Sequence, residues 1–252
     1  MLSVLAALVV AAPPSVPLAP PDTVFLTMGA PQVDARIYAP HRAKVTVRLG
    51  APDGPVVAEW TNELTHGDSA GRAVHRWVTI GTQMPVNGPR STWEIRQTYD
   101  ARTLQPYAYH RFGSDGIEVQ LRLDGTQVTG RRKVNTPDFV PVAVELDQPG
   151  YVASASDLVP MAMRLAPGLV IVAPMWGPNM QRTERRVFTV VGRERRPVEG
   201  KDWNAWRIEE RRFGDPTLLA VWFMVDESPY MVAGEVHQPN GVVRYMTEVA
   251  LP

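Results

Sequence analysis

The strongest constraint on this chain is a two-residue alternation of apolar and polar side chains that recurs along most of its length. The segments "KVTVRL" (44–49), "AVHRWVTI" (73–80), "TWEIRQTY" (92–99), "IEVQLRL" (117–123) and "RRVFTVV" (185–191) all show it. In an extended strand this period sends one set of side chains to a core and the other to water. Between the runs stand dipeptides suited to tight hairpins: Asp53-Gly54, Asp115-Gly116, Asp124-Gly125 and Asn240-Gly241. The run "LLAVWFMV" (218–225) is apolar throughout, which predicts a central strand covered on both faces.

One segment departs from the period of two. "SDLVPMAMRLAPG" (156–168) offers Ser156 or Asp157 as an N-cap, Pro160 in a first turn and Gly168 past the end. A helix there would share Leu158, Met161, Ala162 and Leu165 on one face, with Met163 beside it. A weak echo also links residues 99–121 and 225–246: each runs from an Asp through a turn to Pro-Tyr and two strands, and each Asp is expected to bond its turn backbone. No linker divides the chain after Pro21, so residues 22–252 are read as a single β-rich domain. Many strands and one short helix predict a mainly β fold: a large antiparallel sheet that must curl, with the helix over its concave face.

Composition narrows the functions. Lys plus Arg (26) equals Asp plus Glu (26), and no basic-aromatic stripe is present, which argues against a nucleic-acid partner. Cysteine is absent, so disulfides, thiolate catalysis and cysteine metal sites are excluded. His41, His66, His75, His110 and His237 never fall at metal-ligand spacing, and neither metal nor cofactor is expected. Residues 1–12 form an apolar run followed by proline-rich sequence to Pro21. The run is too short to span a bilayer as a helix and reads as a secretory signal, placing the protein in the periplasm or cell envelope rather than within the membrane. No Lys or Arg precedes it and Pro13 follows Ala12 directly; the alternative is an N-terminal tail on a cytoplasmic protein.

Three stretches taken in order, "TYDARTLQPYAYHR", "DLVPMAMRLAPGL" and the run from "RRVFTVVGRE" to "VVRYMTEV", resemble an uncharacterised bacterial envelope family. That family is similar in layout to the Lol lipoprotein carriers, an open half-barrel with a helical lid around an apolar cavity. The resemblance covers roughly residues 90 to 250. It implies an exported protein that holds an acyl chain or other apolar ligand, or supports envelope assembly, without chemistry, and it carries over no catalytic residues.

Gly67-Asp-Ser-Ala-Gly71 fits the pattern of a hydrolase nucleophile elbow. An elbow needs a buried strand before the serine and a helix after it. Here polar residues precede and a strand period follows, so the motif is read as a turn. The hydrolase version would use Ser69 as nucleophile, His75, His110 or His237 as base, and Asp226 to orient it. Glu209-Glu210 and Asp226-Glu227 are adjacent on strands and face opposite ways; Glu209-Glu210-Arg211-Arg212 is read as a solvated cluster. Trp176, Trp206, Trp222 and Met224, with Leu158, Met161, Met163 and Leu165 of the helix, are the candidate lining of an apolar cavity, since methionine adapts to varied apolar ligands. The expected function is non-catalytic binding of a lipid, acyl chain or lipidated partner. The alternatives are a structural or interaction module that docks an envelope protein, and, third, a serine hydrolase. A pocket of roughly 300 Å³ or more, the usual lower bound for ligand sites, is expected of a carrier.

Overall fold

The alternating runs become long strands. The computed structural model describes residues 23–252, and the apolar segment read as a signal lies outside the described residues. The strands are β1 (Thr23–Phe25), β2 (His41–Leu49), β3 (Val56–Ser69), β4 (Arg72–Gln83), β5 (Ser91–Asp100), β6 (Pro106–Gly113), β7 (Ile117–Asp124) and β8 (Gln127–Val134). There follow β9 (Val140–Glu145), β10 (Tyr151–Val152), β11 (Val170–Trp176), β12 (Glu184–Val198), β13 (Lys201–Arg212), β14 (Leu218–Met224), β15 (Met231–His237) and β16 (Val243–Leu251). One α-helical turn, α1 (Leu158–Met161), and two short 3₁₀ turns complete the described residues.

All sixteen strands join one sheet. From one edge the order is β1, then β11 through β16, then β2 through β9, with β10 pairing β11 off this path. Two meanders are thus joined where β16 pairs with β2, from Arg244 opposite Leu49 to Leu251 opposite Arg42. The pairs are antiparallel except at β11, where β1 and β10 both run parallel to it, so the sheet is mixed rather than wholly antiparallel. Its ends, β1 and β9, do not pair, and the sheet stays open.

The sheet bends. Trp222 on β14 and Ile95 on β5 are six strand steps apart in the order, yet they line one cavity. At roughly 4.8 Å per step a flat sheet would hold them almost 30 Å apart. The main core lies inside this bend, with Tyr38, Tyr151, Trp176 and Phe188 fully buried in it. β14 is buried on both faces, as its unbroken apolar run predicts. Trp222 and Met224 meet the main core, while Val221 and Phe223 meet a second cluster with Val198, Ala205 and Val232. The second cluster forms because the β12–β13 hairpin reaches over β15, where Arg196 pairs with Glu235 at 3.1 Å and stacks on Phe223 at 4.1 Å. A register shift between Val190 and Gly192 lets that hairpin change direction.

The predicted helix over 156–168 is mostly absent. Only Leu158–Met161 is α-helical, after a 3₁₀ turn at Ala153–Ala155. Tertiary partners take the groups a longer helix would need. The Ala162 carbonyl accepts from Asp34 N at 2.7 Å, the Leu158 carbonyl accepts from Tyr38 Oη at 2.5 Å, and Gly168 N donates to Val190 O on β12 at 2.8 Å. Neither expected cap forms: Ser156 Oγ donates to Glu210 Oε2 at 3.1 Å, and the Asp157 side chain caps no helix N–H.

Candidate ligand cavity

Strand alternation builds the cavity wall. On β3, Trp60 and Asn62 share the inner face; Trp77 and Thr79 do so on β4, and Trp93, Ile95 and Gln97 on β5. Trp222, Met231 and Met246 close the wall from β14, β15 and β16, and Ser154, Ala155, Asp157 and Leu158 come from the turn-rich segment before and within α1. The cavity volume is about 220 Å³. Four of the chain's seven tryptophans stand here, which sets this wall apart from ordinary core.

Two glycines make room for the indoles. A Cβ on Gly81 would lie 2.5 Å from Trp93 Cζ2 and 2.8 Å from Trp60 Cβ. One on Gly234 would lie 3.0 Å from two atoms of the Trp222 ring. Trp60 and Trp93 face each other across Gly81 with ring centroids 5.8 Å apart. The same two residues also line an adjoining groove of about 430 Å³, bounded by Leu49, Val57, Pro85 and the exposed Val86. The tryptophan pair is therefore a shared wall between cavity and groove.

A directed hydrogen-bond chain runs beside the apolar wall. Trp77 Nε1 donates to Thr79 Oγ1 (3.2 Å), which donates to Asn62 Oδ1 (2.9 Å), and Asn62 Nδ2 donates to Glu248 Oε1 (3.1 Å). Across the cavity, Glu210 accepts from Trp222 Nε1 at 2.8 Å, from Ser156 Oγ and from Arg186 Nη1 at 2.8 Å. Asp157 keeps part of its surface open to the cavity but is surrounded by protein. Burial lifts its carboxyl to about 7, against a hydrogen bond from its own backbone, and the charge of Glu210 adds to the rise. Burial likewise lifts Glu248 well above the carboxylate range, against the Asn62 bond and reinforced by Asp157.

Of the residues singled out by sequence, Leu158 and Trp222 line this cavity. Met161, Trp176 and Met224 are buried in the main core, and Met163, Leu165 and Trp206 are partly buried at its margin. Trp206 instead stacks under Arg193 at 4.3 Å and donates to Asp226 at 3.2 Å. Asp226 therefore does not bond its own turn as the internal echo predicts, whereas Asp100 does, accepting from Arg102 N and Thr103 N. Glu210 is no part of a solvated cluster; it is 2% exposed, because alternation along β13 turns it inward while Glu209 pairs outside with Arg207 and Arg211. Trp60, Trp77 and Trp93 were not among the sequence candidates. Their signal was present in each strand as a polar or apolar partner two residues further along the same face.

Ser69 stands exposed at the tip of the β3–β4 hairpin, paired with Arg72. Ala70 (φ 55°) and Gly71 (φ 78°) form the two-residue turn, and Asp68 Oδ1 accepts from Gly71 N at 3.0 Å. His75 is buried and donates from Nε2 to Ala35 O at 2.9 Å; His110 and His237 lie on β6 and β15. Among the described residues no group of three or more His, Asp or Glu is placed to hold a metal ion. No helix among them is long and apolar enough to cross a membrane.

No family model and no curated protein matches the sequence. Among solved structures, the chain is similar to the β-barrel-like protein of the domain of unknown function DUF1849 from Brucella abortus. The TM-score is 0.52 at 10% identity, over 84% of this chain and 98% of that one. At that identity the likeness is one of fold: a β-barrel-like domain of unknown function.

Proposed function

We propose that this protein is a non-catalytic, exported binding protein that holds an apolar or amphipathic ligand, such as the end of an acyl chain, against the tryptophan wall. The observation that carries this reading is the cavity with its adjoining groove, both lined by Trp60 and Trp93. At about 220 Å³ the cavity alone falls below the roughly 300 Å³ usual for ligand sites. With the groove, a chain can lie along the surface with its end against the two indoles. In the Lol-like picture implied by the family resemblance, the segment from Ser154 to Leu158 acts as a small lid on the concave face. Native mass spectrometry of protein purified from the cell envelope tests the reading. A bound mass that exchanges with added dodecanoate supports it; the bare chain mass, with no uptake of dodecanoate, contradicts it.

A second reading rests on a different observation. Among the described residues β9 is an edge strand with no neighbour on one side, with Val140 57% exposed, and an unpaired edge can add a strand from a partner. On that reading the protein docks another envelope protein, and crosslinks would map to residues 140–145 rather than to the cavity.

A further inference from the structure

The cavity wall carries an acid and no base. Among the described residues Asp157 is its one charged lining residue, and no Arg, Lys or His faces the space. The Asp157 carboxyl receives no hydrogen bond from another described residue, in contrast with its neighbours. Glu210 is balanced by Arg186, and Glu248 is bonded by Asn62. Three carboxyls thus share this interior with one guanidinium. A buried carboxylate without a partner is costly, and the cost is removed by a proton or by a cation brought in from outside. Around the same space stand four indoles, the side chain whose face attracts organic cations most strongly.

We propose that the occupant of the cavity carries a positively charged amine on an apolar body, the amine held by Asp157 and the tryptophan faces. This rests on the binding function proposed above and specifies its ligand class. An apolar cavity of ~150 Å³ holds benzene, so the observed volume of about 220 Å³ suits a ligand of roughly nine heavy atoms on the same scale. A primary amine with a short alkyl chain has that size. The burial that raises the proton affinity of Asp157 acts in the same direction: an entering ammonium neutralises the carboxylate that the fold otherwise protonates.

Calorimetric titration of the full chain with octylamine, octanol and octanoate at about pH 8, where the amine is charged, tests the proposal. Octylamine should bind at least about tenfold more tightly than octanol, and octanoate most weakly, in keeping with a charge-assisted contact worth about 1.4 kcal/mol or more. In Asp157→Asn the preference for amine over octanol should vanish while octanol affinity is retained, which also reports that the cavity is intact. Equal binding of octanol and octylamine by the unaltered protein overturns the amine proposal and leaves the binding function standing, with no variant needed. An amine preference that survives Asp157→Asn also overturns it. No binding of any of the three overturns both.

Discussion

Gly81 has no side chain, and the tryptophan wall depends on that. A methyl group there must displace Trp93 or Trp60, because the nearest atoms are a ring carbon at 2.5 Å and a Cβ at 2.8 Å. Gly81→Ala is expected to cost about 1–3 kcal/mol, the range for overpacking, in urea unfolding, and to shift the tryptophan emission. A neutral effect on both would mean the indoles are loosely held. Asp157 makes a second prediction at this scale. An acid whose folded pKa lies above its unfolded value binds its proton more tightly when folded, so deprotonation weakens the fold. The Asp157 contribution to stability should therefore decline as pH rises from 3.8 toward about 7 and level off above. Asp157→Asn lacks this titration, and its urea midpoint should gain on the unaltered protein across that window; a difference independent of pH would contradict the assignment. Glu210 shows where single residues mislead. In "IEERR" it looks like one member of a charged run, and only the phase of β13 against the core shows that it points inward to Trp222, Ser156 and Arg186.

Among the elements, the strands were legible because period two is a local property that each segment carries by itself. Their hairpin turns were legible for the same reason, with the β7–β8 turn falling at Gly125-Thr126, one residue past the expected pair. Segment 156–168 was not, because Asp34 N takes the Ala162 carbonyl, the Val190 carbonyl of β12 takes the Gly168 N–H and Tyr38 Oη bonds the Leu158 carbonyl, all partners distant in sequence. Tyr38→Phe should therefore cost about 1 kcal/mol, the usual worth of one hydrogen bond, in equilibrium unfolding; no change would mean the hydroxyl does not hold α1. The GDSAG hairpin is a turn whose first residue, Ala70, sits at positive φ where asparagine is favoured. Ala70→Asn should stabilise by a few tenths of a kcal/mol up to about 1, the typical scale for turn and backbone changes, whereas Ser69→Ala should stay within about 0.5 kcal/mol, as exposed sites do. A large loss from Ser69→Ala would contradict the turn assignment.

The whole molecule was the least legible. That β16 pairs with β2, and that β1 crosses to lie parallel to β11, follows from long-range contacts that no local pattern records. The cavity is a product of those contacts. Its first-half wall, Trp60, Trp77 and Trp93, meets its second-half wall, Trp222, Met231 and Met246, only once the sheet has bent. Attention to the methionine- and tryptophan-rich second half found Leu158 and Trp222 but not the facing strands, since no alternation in one strand tells which other strand it will oppose. A binding role requires that this shared space admit an apolar guest. Tryptophan quenching by a bromine-tagged fatty acid measures that directly, because bromine quenches only indoles it nearly touches. Saturable quenching at one ligand per chain, reduced in Trp93→Phe and Trp60→Phe, is the predicted result. Quenching that never saturates, or that is unchanged in both variants, would contradict it.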